Sequence, residues 1–342
     1  MNQIDADCRR EVSDLGYGPF FEDLVKGQVF DSAPAVTLTD GLATAHRMIV
    51  GTRLRLPLDA TLGQAVTSHS RPLADPSLVW DLAIGQSTVV TRHVKANLFY
   101  RGLRFHRFPH IGDTLHSRTE VVGLRQNAPK PGRPPTGMAA LRITTTDQDG
   151  IPVLDFYRCA MLSMGDESLA DIPGAVDDLS NIGPRQQLPF ASPPSWDLRE
   201  FRARVPGQHF AEDLVGARFS STGDVVGSAP ELARLTLNIA AVHHDSRISE
   251  AGRLVYGGHT IALALAQTTR ALPNLVTVLG WHRCDHVGPV REGDTLYSEV
   301  RVDSAAPSAN GVVVNLSAVV HADRPGAEQS QVLRWQFAAL MA

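Results

Sequence analysis

The stretch Leu235-Thr236-Leu237-Asn238-Ile239-Ala240-Ala241-Val242-His243-His244-Asp245 sets a carboxamide and an imidazole five residues apart, just after an amphipathic segment. An imidazole, with a pKa near about 6.5, can take a proton and return it within one turnover. A carboxamide can hold a water molecule but cannot accept a proton. Farther on, Gly257-Gly258-His259 opens a long apolar helical run. Backbone N–H groups at such a start are preorganised donors for a developing oxyanion, and glycine admits close approach. Taken alone, a histidine after a helix such as His243 is more often a satisfied structural residue. His244 and Asp245 diverge from it and no third ligand is suitably spaced, so no metal is expected. The cluster Trp281-His282-Arg283-Cys284-Asp285-His286 looks reactive, but its alternation marks a β-strand, with core or interface roles set against pocket lining. Arg247, Arg253 and Arg283 are either ordinary solvated arginines or partners for the phosphates or carboxylate of a ligand.

The elements that must hold these residues occur twice. Glu22-Asp23-Leu24-Val25 returns as Glu212-Asp213-Leu214-Val215, and Gly112-Asp113-Thr114-Leu115 returns as Gly293-Asp294-Thr295-Leu296. The copies stand about 190 and about 180 residues apart in the same order, the mark of a duplication. Residues 1–165 form the first copy and residues 208–342 the second. Residues 166–207 are rich in Pro, Gly, Ser and Asp and read as a linker, with Trp196, Leu198 and Phe201 able to pin its end. The four-proline segment 127–137 reads as an exposed crossover loop.

Each copy predicts a short amphipathic helix (39–50; 229–238), an irregular loop, and a longer apolar helix (78–90; 258–272). Four strands follow, at 98–107, 114–123, 138–147 and 152–163, then at 275–283, 295–304, 311–321 and 329–340. They alternate and are rich in Val, Leu, Thr and aromatics. An antiparallel sheet around one central helix is an α+β arrangement.

The segment 235–245 resembles the hydratase signature L-T-G-D-x-N-P-x-H-x-D of the MaoC-like double-hotdog enoyl-CoA hydratases and dehydratases. Asn238 stands at the signature's catalytic Asp and His243 at its His. Gly252-Arg253-Leu254-Val255-Tyr256-Gly257-Gly258 is similar to the family's G-x-P-x-x-H-G, with Gly257 in place of the His; Pro289-Val290 and Gly293-Asp294-Thr295-Leu296 match its strand entry. The resemblance spans both halves and implies a tandem hotdog fold. It implies catalytic roles for His243, Asn238 and the Gly258 amide, and acyl or CoA contacts for Tyr256, Gly257, His259, Arg247 and Arg253. An Asn at this place also accompanies subgroups acting on branched short acyl-CoAs, including proteins similar to mesaconyl-CoA hydratase. The first copy aligns as Gly51-Thr52-Arg53-Leu54-Arg55-Leu56-Pro57-Leu58-Asp59, with Thr52 and Pro57 at the two catalytic places. Neither residue moves a proton, so this half is expected to serve architecture and channel walls.

Adding water across an enoyl thioester needs a base for the water, an acid for C2 and donors for the thioester oxygen. The expected activity is therefore reversible hydration of a 2-enoyl thioester, without cofactor or metal. A hotdog acyl-CoA thioesterase and a non-catalytic acyl-thioester-binding subunit are the alternatives. A thioesterase would normally want a carboxylate where Asn238 stands.

The bulk numbers exclude other classes. At 342 residues the chain can bury two cores, and its 43% hydrophobic and 20% charged content suits a globular protein. A net charge of −4 gives no overall attraction to nucleic acid or anionic membranes. Cys8, Cys159 and Cys284 lack any CxxC pairing, so neither a disulfide framework nor a thiolate zinc site is expected. The first residues, MNQIDADCRREVSD, carry no apolar core of a secretory signal, and no apolar run approaches the roughly 20 residues of a membrane span. A cytoplasmic homodimer is the expected setting, with acyl-CoA as the only partner.

Overall fold

In the computed structural model, which describes residues 18–166, 168–169, 171–184, 186, 189–248 and 252–342, one succession of elements occurs twice. The first half runs through β1 (Val29–Phe30), β2 (Val36–Thr37), α1 (Asp40–Val50), α2 (Arg55–Leu58), α3 (Ala60–Thr67) and α4 (Pro76–Gln86). Its long strands are β3 (Val94–Phe105), β4 (Thr114–Gln126), β5 (Thr136–Thr146) and β6 (Pro152–Ser163). After α5 (Leu198–Arg204), the second half has β7 (Arg218–Ser220), β8 (Asp224–Val225), α6 (Ala229–Leu235) and α7 (Gly257–Ala271). It closes with β9 (Leu275–His286), β10 (Thr295–Ser308), β11 (Gly311–Asp323) and β12 (Ser330–Met341). The four long strands expected in each copy are all present. Cys8 lies outside the described residues; Cys159 and Cys284 are buried and free.

The central helices α4 and α7 have almost no solvent face. Every residue of α4 is buried, and in α7 burial runs from Gly258 through Thr269. A helix apolar on all sides must be enclosed, and here the sheets enclose it. The Asp75 side chain caps α4 by accepting from the Ser77 amide at 2.8 Å, and Pro76 takes the first helical position, where a missing N–H costs nothing.

Strand order is β4-β5-β6-β3 in the first half and β9-β12-β11-β10 in the second, all antiparallel. β3 pairs with β9, matching Phe99 to Asp285, Tyr100 to Cys284 and Leu103 to Trp281, so the two sheets form one. Trp80 of α4, Trp281 and Trp335 meet edge to face at this seam, with ring centroids 4.9 to 6.2 Å apart. The architecture is α+β, a double hotdog.

Three expectations need correction. The segment beginning at Asn127 is a hairpin connection, because β4 and β5 pair directly, Gln126 opposite Gly137. The prolines lengthen a turn between neighbouring strands and cross over nothing. The irregular loop expected in the first copy is helical: Pro57 sits inside α2, and Asp59 caps α3 through the amides of Thr61 and Leu62. The stretch read as a linker carries α5, and Trp196, Leu198, Phe201 and Val205 pack with Leu56, Leu62 and Val66 against Val276, Leu279, Val313, Ala338 and Leu340. The short spacing does not show the helix; the pinning expected of Trp196, Leu198 and Phe201 holds, and their burial fastens the connection to both halves.

Candidate active site

The loop after α6 is moulded onto the first half. Thr236 Oγ1 donates to the Leu232 carbonyl at 2.8 Å, and Leu237 turns the chain with φ +58°, an uncommon conformation for a residue with a Cβ. The Thr236 carbonyl then passes so close to α4 that a Cβ on Gly85 would lie 1.7 Å from its oxygen. Only glycine fits there. Thr88 Oγ1 accepts from the Ile239 amide at 2.9 Å, and the Ala241 amide donates to the Arg92 carbonyl at 3.1 Å. The half without the signature thus holds the loop that carries it.

Within this loop Asn238 Oδ1 accepts from the Ala240 amide at 3.0 Å, which leaves the Nδ2 donors as the end of the side chain free to meet a ligand. His244 Nε2 donates to the Asn238 carbonyl at 2.6 Å and fixes the backbone from the other side. His243 Nδ1 lies 2.7 Å from the Leu254 carbonyl. A carbonyl only accepts, so Nδ1 carries the proton and the lone pair is on Nε2. Burial pushes the His243 pKa down to about 4; the bond to Leu254 opposes this, while His244 and Arg158 add to it. The imidazole is therefore neutral at pH 7, in the form that can take a proton.

A cavity of about 460 Å³ opens beside these two side chains. Of the residues expected at a site, Asn238, His243, Tyr256 and Gly257 line it; Gly258, His259, Arg247 and Arg253 do not. Gly258 faces inward: a Cβ there would lie 2.1 Å from Asp81 Oδ1 and 2.6 Å from the Tyr256 ring. His259 is fully buried in α7 with both ring nitrogens unpartnered, and burial lowers its pKa to about 4. Arg247 is exposed and pairs with Asp245 at 2.7 Å, and Arg253 pairs with Glu292 at 2.5 Å. The Tyr256 hydroxyl donates to the Asp81 carbonyl at 2.8 Å and ties the start of α7 to α4.

Sequence reasoning did not single out Asn97, Tyr100 or Arg158, which also line the cavity, and it left His286 between core and pocket lining, the second of which the cavity bears out. Asn97, Tyr100 and Arg158 come from β3 and β6, in the half that lacks the signature. One signal was available for Arg158. It follows Leu154 and Phe156 and precedes Ala160 and Leu162 in an alternating buried series, where a charge is out of place. His286, at the end of β9, lies against Gly257: a Cβ on Gly257 would be 2.9 Å from His286 Cε1 and Nε2. An imidazole from the strand thus fills the space in which a side chain at 257 would start. At the equivalent place in the first copy Thr52 is buried, and α2 and α3 occupy the region.

Among the described residues no group of three or more His, Cys, Asp or Glu side chains could hold a metal, and no helix is long and apolar enough to cross a membrane. No family model matches the chain. It is 28% identical to a β-methylmalyl-CoA dehydratase of Chloroflexus aurantiacus, over 90% of this chain and 89% of that one. It is 25% identical to a mesaconyl-CoA hydratase of Cereibacter sphaeroides, over 92% and 93%. Among solved structures, a conserved hypothetical protein of Mycobacterium tuberculosis described as a double hotdog is 59% identical, covers 95% of this chain and 99% of its own, and superposes with a TM-score of 0.90. A MaoC-domain dehydratase structure from Chloroflexus aurantiacus is 26% identical over 95% and 97%, with a TM-score of 0.80. The chain belongs to the MaoC-like double-hotdog family.

Proposed function

We propose that the protein is a hydro-lyase that reversibly hydrates a 2-enoyl-CoA, with mesaconyl-CoA or another branched short-chain acyl-CoA as substrate. The observation that carries this reading is the His243 imidazole, held by Leu254 with its Nε2 lone pair available beside Asn238 and the cavity. The Nδ2 group of Asn238 holds the water oxygen. Nε2 takes a proton from that water as its oxygen bonds to C3, and the electron pair of the double bond moves onto the thioester oxygen. Donors at the start of α7, where Gly257 meets the cavity, face the charge that develops there. The imidazolium then returns its proton to C2, so one residue serves as base and then as acid. No cofactor or metal enters this scheme. Two relatives of similar length and named activity, the dehydratase and the hydratase above, support the substrate class. A cytoplasmic homodimer remains the proposed setting.

Incubation with a panel of enoyl-CoAs, following loss of enoyl absorbance separately from release of free thiol, tests the proposal. Loss of absorbance without thiol supports it. Thiol release would identify a thioesterase instead, and binding without either reaction a carrier of acyl thioesters.

A further inference from the structure

Arg158 lies in the wall of the cavity, 3% exposed, and forms no ion pair with any carboxylate among the described residues. Its three hydrogen bonds go to neutral oxygens: Nε to Asn97 Oδ1 at 3.1 Å, Nη1 to Ser87 Oγ at 2.6 Å and Nη2 to Thr91 Oγ1 at 3.2 Å. The nearby buried acid, Asp81, is already engaged by His46 at 2.9 Å. Removing a guanidinium from water without an anion is costly, and folded proteins rarely leave one so unless something else supplies the charge. Two more polar groups on the same cavity are also unsatisfied: Asn97 Nδ2 and His286 Nε2 are buried and have no partner. A buried cation and two unpartnered polar atoms thus gather on one cavity.

We propose that Arg158 is the specificity-determining residue of this site, the receptor for a carboxylate carried by the acyl group, with the Asn97 amide and His286 beside it. The assignment rests on the hydratase reading of the same cavity and adds the residue that would choose the substrate. A guanidinium offers the planar pair of donors that a carboxylate accepts, and it does so best where water is excluded. CoA phosphates do not fit this role, because they belong at the open mouth of a thioester site and Arg158 is only 3% exposed. The thioester oxygen is served by the start of α7. A bound carboxylate would also cancel part of the positive field that Arg158 places on His243, and so strengthen that base when the right substrate is present.

Crotonyl-CoA and fumaryl-CoA test this, since they differ by a terminal methyl against a terminal carboxylate. Arg158→Gln is expected to lower kcat/KM for fumaryl-CoA by roughly 10²- to 10³-fold and to change it for crotonyl-CoA by less than about threefold. Arg158→Lys, which keeps the charge, should recover part of the loss. Equilibrium binding of two unreactive thioether analogues, one ending in methyl and one in carboxylate, reads recognition without turnover. The parent protein should prefer the carboxylate, and Arg158→Gln should erase the preference. Equal loss on both substrates, or a parent protein with no preference for the carboxylate analogue, would overturn the assignment. Preference for the carboxylate analogue without hydration of either substrate would leave Arg158 as the receptor and remove the hydratase reading instead. Thermal melting of both variants separates these outcomes from misfolding, because only a folded Arg158→Lys protein can show selective recovery.

Discussion

The Thr236 carbonyl oxygen and the α-carbon of Gly85 are packed so closely that a methyl group on Gly85 would lie 1.7 Å from that oxygen. Backbone cannot yield as a flexible side chain does, so Gly85→Ala must push the 236–238 loop off α4. The expected cost is about 2 kcal/mol of stability, in the range of an overpacked core. Because the displaced loop carries Asn238, turnover should fall by more than about tenfold even in protein that stays folded. Chemical denaturation and steady-state kinetics measure the two effects separately.

His243→Ala should lower kcat by roughly 10²- to 10⁴-fold, the usual worth of one general acid–base group. Thioester binding should change far less, since the walls of the cavity remain. A variant that hydrates at the parent rate would refute the role given to this imidazole.

Asn238→Asp brings a titrating group to a place now held by an amide. Oδ1 can keep its bond from the Ala240 amide, so the loop should keep its shape. Hydration should be kept or raised, and the acidic side of the pH profile should gain a second ionisation beside that of His243. An unchanged profile with reduced activity would show that the amide donors, and not merely the geometry, are needed.

Acid stability follows from three histidines in the second half. Burial lowers His243, His259 and His286 to about 4, below the ordinary value of about 6.5. Between those values the unfolded chain binds more protons than the folded one. Stability is therefore full above pH about 6.5 and falls as the pH drops toward about 4. The His259 ring makes no hydrogen bond and does not line the cavity. His259→Leu should weaken this acid dependence of the melting temperature while leaving KM unchanged. A rise in KM would place His259 at the substrate after all.

Pro57→Ala tests the half without the signature. Proline carries no proton to move, and Pro57 lies in α2 away from the cavity. Turnover should stay within about twofold of the parent, with any effect appearing in the melting temperature.

The duplication was legible because it is written in contiguous residues, Glu22 to Val25 against Glu212 to Val215 and Gly112 to Leu115 against Gly293 to Leu296. The strands were legible because their burial alternates. His243 and Asn238 were legible because both sit in one short segment. Arg158, Asn97 and Tyr100 were not, since no spacing along the chain announces that β3 and β6 of one half wall the site of the other. Gly258 and His259, expected at the site, lie off the cavity lining for a related reason. A helix start shows which residues are near an N-terminus, but its rotation, which turns Gly257 to the cavity and Gly258 to Asp81, is decided by the packing of α7 on α4.

The pairing of β3 with β9 within one chain has an evolutionary consequence. In a dimer of identical single hotdogs, any substitution appears in both sites at once, so a change that sharpens one wall of a site must be tolerated on the opposite wall too. Fusion removes that constraint. With the roles proposed above, Asn97, Tyr100 and Arg158 can be selected purely as wall, and Asn238 and His243 purely as machinery, without either set having to serve in the other place. A buried cation such as Arg158 would be hard to acquire under symmetry and becomes accessible once the halves are free to diverge.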